Sequence, residues 1–179
     1  MPRARPDVVL RPPRRPALRR AAWLLVAAAV AGCATPQVVE RVEQGPRAQE
    51  IFLTRSYLGN GREPSFDERR KWEDRLDERV SKFLRDHPEL EQATRYSDFR
   101  FWRQVVIGST RDEVRTLLDA PEEETSDPAL MESMAKRHWP AMQRKVKEAW
   151  VYPPGWVIYF DDAAVVDITR KVGKYDSID

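Results

Sequence analysis

Toward its C-terminal end the chain changes period. Trp150-Val-Tyr152, Trp156-Val-Ile-Tyr-Phe160 and Val165-Val-Asp-Ile168 are short aromatic and β-branched runs, which is strand composition. Pro154-Gly155 fits the central pair of a type II turn and Asp161-Asp162 a second turn. Strands joined so tightly run antiparallel, because a parallel pair needs a long crossover. Most of what precedes them repeats its apolar residues at helical spacing instead. The fold class that follows is α+β: helices packed on a C-terminal three-stranded antiparallel sheet, with an additional N-terminal helical segment.

The helices are marked by their ends as much as by their stripes. Ser65 followed by Glu68 forms a capping box, and Trp72, Leu76, Val80, Phe83 and Leu84 give one apolar face before His87-Pro88 stops the run. The charges around that stripe interleave both signs, a solvated face rather than a nucleic-acid surface. In residues 88–103, Tyr96, Phe99, Trp102 and Val106 suit a helix, while Phe99, Phe101, Arg103, Val105 and Ile107 suit a strand. The favoured reading is a helix giving way to an extended segment at 104–107. Gly108 permits a turn, Thr110 and Glu113 form a second capping box, and Val114, Leu117 and Leu118 supply a short buried stripe ended by Pro121. Residues 122–127 read as a charged loop. Pro128 opens a further helix carrying Leu130, Met131, Met134, Ala135 and His138; Pro140 interrupts it, and Met142, Val146 and Ala149 resume the period.

The other end of the chain is built differently. Of the 31 Lys and Arg, seven Arg fall in the first 32 residues with a single Asp, so from Cys33 onward 24 basic face 28 acidic side chains. The Arg-rich start precedes an apolar run at 21–32, which has the grammar of an export signal. Twelve helical residues span roughly 18 Å, short of the ~30 Å hydrocarbon core, so a transmembrane helix is not expected there. Val30-Ala-Gly-Cys33 resembles the lipobox of bacterial lipoprotein precursors, which implies cleavage before Cys33 and covalent lipid on its sulfur. Cys33 is the one cysteine, which excludes a disulfide scaffold and a CxxC redox pair. Ala34, rather than Asp, follows it. By the same resemblance this implies transfer to the outer membrane, with the domain on the periplasmic face. The expected organisation is a signal peptide at 1–32, a flexible tether at 33–50, a helical extension at 51–103, an α+β domain at 104–172 with a helical insertion at 122–149, and a tail at 173–179.

Gly108-Ser-Thr-Arg-Asp-Glu-Val114, Leu117-Leu-Asp-Ala-Pro121, Glu148-Ala-Trp-Val-Tyr152, Ile158-Tyr-Phe160 and residues 165–168 together resemble the SmpA/OmlA domain of BamE-type lipoproteins. That domain is a pair of helices followed by a three-stranded antiparallel sheet, and the resemblance covers about residues 105–170. Asp119 stands where that family usually has Gly, so it is expected to adopt the left-handed C-cap conformation. The connection at 122–149 is longer than usual. The resemblance implies a non-enzymatic, outer-membrane-anchored lipoprotein that binds or scaffolds envelope proteins, outer-membrane barrel-assembly components among them. An alternative from the same family fold is a proteinaceous inhibitor of a periplasmic hydrolase, with residues 122–127 as its acidic loop.

Enzyme chemistry finds little material. His87 and His138 are the only histidines and lie far apart, with no HExxH spacing. Glu122, Glu123, Glu124 and Asp127 lack the glycine and alternating ligands of an EF-hand. There is no GxSxG, no glycine cluster to cradle a phosphate, and no cysteine nucleophile once Cys33 carries lipid. The expectation is no cofactor beyond that lipid, no metal and no nucleic acid. A sheet covered by helices on one face leaves the other free. With Trp156, Ile158 and Phe160 inward, Val166 and Ile168 are expected beside them, and Tyr159 points outward. Phe101 and Tyr159 are the candidate partner-binding residues.

Overall fold

In the computed structural model the described residues are 38–172, and they build an α+β unit. The expected signal peptide, Cys33, the first residues of the expected tether and the tail at 173–179 lie outside them. The described elements are β1 Val38–Val42, β2 Gln44–Arg47, α1 Ala48–Asn60, α2 Phe66–Asp86, a 3₁₀ turn Pro88–Gln92, a π-helical turn Asp98–Trp102, β3 Gln104–Val106, α3 Arg111–Leu118, β4 Glu123–Thr125, α4 Pro128–Ala135, a 3₁₀ turn Lys136–His138, α5 Trp139–Met142, β5 Glu148–Tyr152, β6 Trp156–Phe160 and β7 Val165–Val172. None of the described helices is long and apolar enough to cross a membrane.

Both capping boxes are present. Ser65 and Glu68 exchange side-chain and backbone hydrogen bonds at the start of α2, and Thr110 and Glu113 do so at α3. Each satisfies donors that the first helical turn leaves without partners. Trp72, Leu76, Val80 and Leu84 of α2, and Val114, Leu117 and Leu118 of α3, are buried. The last three strands form a meander, with Trp150 opposite Ile158 and Ile158 opposite Ile168.

The sheet is wider than three strands. Its order is β1-β7-β6-β5-β4, every pair antiparallel. Two expectations are corrected by this. Residues 38–50 are not a flexible tether: Val38 pairs with Val172 and Val42 with Ile168, and α1 is already under way at Ala48. The tether reading missed them because an edge strand needs only one apolar face, and α1 begins at Arg47 without a side-chain cap. Residues 122–127 are not a free loop either, since Glu123 to Thr125 pair with β5 along the opposite edge. A separate ribbon pairs β2 with β3, Gln44 opposite Val106. Gly45 lets this ribbon lie against the sheet, because a Cβ there would sit 3.0 Å from both Ile168 Cδ1 and the Val105 carbonyl.

Two cores sandwich the sheet. On one face Trp150, Ile158, Phe160 and Ile168 pack with Leu76, Val114 and Leu118. On the other, Val157 and Tyr159 pack under Met131, Ala135, Trp139 and Met142. All five residues of β6 are therefore buried. The insertion at 122–149 is the cover of the second face, which removes the free face expected for the sheet. A register shift between Tyr159 and Phe160 explains another departure. Phe160 faces Val165 and Tyr159 faces Asp167, so Val166 is the extra residue of a bulge. Val166 packs with the second core and Ile168 with the first, so the two do not lie side by side.

Candidate functional site: an aromatic and cationic face

Tyr159 is placed inside the protein, with no exposed surface. Its hydroxyl is 3.3 Å from Thr169 Oγ1, and burial pushes it up to about 12. It is a core residue, which corrects the expectation that it faces a partner. Asp167, expected to need water, is also buried and is held instead by Arg41 of β1, whose Nε donates to both carboxylate oxygens at 2.8 and 2.9 Å. His138 Nε2 lies 3.0 Å from the Val39 carbonyl oxygen, joining the covering helices to the edge strand.

Phe101 has a different setting. The π-helical turn widens the backbone so that alternate aromatics part company: Phe99 is buried with its ring centroid 5.2 Å from that of Phe83, while Phe101 is 68% and Trp102 57% exposed. Buried Phe99 is thus separated both from Phe101, its partner in the strand period, and from Trp102, its partner in the helical one. Arg103 follows at φ 49 and ψ 43, a left-handed conformation that bulky residues adopt at a cost. Its carbonyl accepts from Ala48 N–H at 2.9 Å and its guanidinium pairs with Asp77, so neighbouring elements hold the strained residue. Arg47 stands 5.3 Å over the Trp102 ring. The exposed aromatics thus sit on a backbone fixed at both ends.

Beside them runs a groove between α1, α2 and the C-terminal end of α3, with a volume of about 430 Å³. Phe52 and Trp72 stack in it, centroids 4.4 Å apart and planes 8° from parallel. Trp72 also borders a smaller hollow with Phe101 and Trp102, so the two concavities adjoin. Arg55 of α1 closes the end of α3, donating to the Leu118 and Ala120 carbonyl oxygens at 2.8 and 2.6 Å. Asp119 takes φ 61, positive as expected, though with ψ −164 rather than the left-handed helical value. It pairs with Arg79, and its carbonyl accepts from the Tyr152 hydroxyl at 3.0 Å.

Another hollow, about 620 Å³, is lined in part by the buried Glu113. Arg95 grips that carboxylate with three hydrogen bonds of 2.7 to 3.1 Å. Arg111, also on its wall, binds Glu148 and the carbonyl oxygens of Asp161 and Asp162. These guanidiniums are matched by acceptors and serve the fold. His87, at its rim, lies 3.1 Å from Glu89. Glu124 of the acidic segment is engaged by Arg115 at 2.7 Å. Among the described residues no group of three or more His, Cys, Asp or Glu is arranged to hold a metal ion.

The groove could have been anticipated only in part. Trp72 was legible as an apolar-stripe residue of α2, but its stacking partner Phe52 lies on a helix without a strong period. No family model, no curated protein and no solved structure matches the chain.

Proposed function

We propose that the chain is a non-enzymatic protein-binding module of the bacterial cell envelope, tethered by lipid on Cys33 to the periplasmic face of the outer membrane. The observation that carries the binding part is the adjacent exposed pair Phe101 and Trp102 on a rigidly held turn. Large aromatics left in water at a fixed position are suited to become the anchors of an interface. The Arg-rich, apolar and lipobox sequence carries the tethering part. The likeness of residues 105–170 to the SmpA/OmlA domain belongs to the same reading. It draws support from the capped helix α3 and the β5–β6–β7 meander, which follow in the expected order, and it points to barrel-assembly components as partners.

Site-specific photocrosslinking tests this. Benzoylphenylalanine in place of Phe101 is expected to capture a discrete envelope protein in cells, and the same probe at exposed Arg70 on α2 is not. Capture at neither position would reject the binding face. Palmitate labelling reports on the anchor separately. Cys33→Ser is expected to abolish it, and label retained on that variant would reject the lipobox.

A further inference from the structure

The groove carries more positive charge than it neutralises. Its floor is apolar, formed by Ile51, Phe52, Trp72 and Leu117. Of the charged groups around it, Arg62 engages Glu68, Arg79 engages Asp119, and Arg55 is directed at two neutral carbonyls. Lys71 and Arg75, one helical turn apart on the side of α2 that lines the groove, have no carboxylate partner among the described residues. The crowding is felt by Arg79: burial, and then the nearby Arg75 charge, hold its guanidinium below the ordinary value. Its Nε is buried without a hydrogen-bond partner.

Stacked aromatics beneath uncompensated cations attract a ligand that is apolar at one point and anionic at the next. The groove and the Phe101–Trp102 hollow share Trp72 in their walls, so an extended chain can reach from one toward the other. We propose that the groove binds an acidic peptide segment of the partner protein, seating a bulky apolar side chain on the half-buried Phe52, which Trp72 backs from the core, and carboxylates against Lys71 and Arg75. This deepens, and rests on, the reading of the domain as a protein-binding module.

The test uses the full chain in nanodiscs of zwitterionic lipid and three fluorescein-labelled peptides differing only in their central residues: Phe-Asp-Glu, Phe-Lys-Lys and Ala-Asp-Glu. Anisotropy is expected to show binding of the first, weaker by about tenfold or more for each of the others. The double variant Lys71→Glu with Arg75→Glu is expected to lose a similar factor, with unchanged circular dichroism and melting because both side chains are exposed. Equal binding of acidic and basic peptides overturns the proposal. So does dodecanoate that binds more tightly than the first peptide and displaces it, which would mark a fatty-acid site. If the Phe101 probe captures a partner while the acidic peptide gains nothing, the groove proposal fails and the module reading stands. Acidic-peptide selectivity without any capture in cells rejects the module reading and leaves the groove a site for acidic chains.

Discussion

Tyr159 and Phe160 are neighbours on β6 that face opposite cores, and each is fully buried. Replacing either by Ala is expected to cost about 3–5 kcal/mol, as for other large-to-small core changes. Urea unfolding of the two variants checks this; a loss below about 1 kcal/mol for Tyr159→Ala would mean that the covering helices do not seal the second face. Glu148 offers a pH signature. Burial pulls its carboxyl upward, but hydrogen bonds from Trp150 at 2.8 Å and Arg111 at 2.9 Å outweigh burial and hold it below the usual range. A carboxyl depressed in the folded state contributes stability above its unfolded value of about 4.3, and that contribution is lost as pH falls through the folded value. Glu148→Gln is therefore expected to lower the melting temperature at neutral pH and flatten its decline below about pH 4. A parallel offset at all pH values would contradict the assignment. The residue types at these positions were readable, but their depth was not, because Asp167 and Tyr159 acquire partners from β1 and from the insertion.

The helices that the sequence announces are those with caps and a sustained stripe. At α3, the Thr110 hydroxyl accepts from Glu113 N–H at 3.2 Å while Glu113 reaches back to the Thr110 amide. Thr110→Ala is expected to cost about 1 kcal/mol, read as a shift of the denaturation midpoint with unchanged slope. No loss would mean that the cap is redundant with the Arg95–Glu113 pair. By contrast, α1 straddles the expected boundary at residue 50 and has neither a side-chain cap nor a sustained stripe to announce it. It is held by what surrounds it: Glu50 accepts from Trp156 Nε1 at 2.8 Å, Arg55 caps α3, and Gly61 ends it at φ 67 with its N–H donating to Tyr57 O at 2.8 Å. The π-helical turn follows neither period that the sequence offers: exposed Phe101 parts from buried Phe99 against the strand reading, and exposed Trp102 parts from it against the helical one.

For the molecule as a whole, β1 contributes one edge of the sheet and the counter-charge of a buried acid. A chain beginning at Glu43 keeps β2 but loses the β7 partner strand and leaves Asp167 without Arg41, so it is expected to melt well below the full chain and to lose hydrogen-exchange protection at β7 amides. A chain beginning at Val38 is expected to retain both. Equal melting of the two would show that β1 adds nothing to the fold. The sequence by itself determined the α+β class, the two capped helices and the three-strand meander, because a cap, a turn and an apolar period are each set within a few residues. Only the tertiary structure decided that the sheet has five strands, that residues 122–149 seal its second face, that Tyr159 is core while Phe101 is surface, and that Phe52 and Trp72 line one groove. Each of these depends on pairing across long stretches of chain. There the free energy comes from buried area and matched polar groups supplied by another element, and no local pattern names that element.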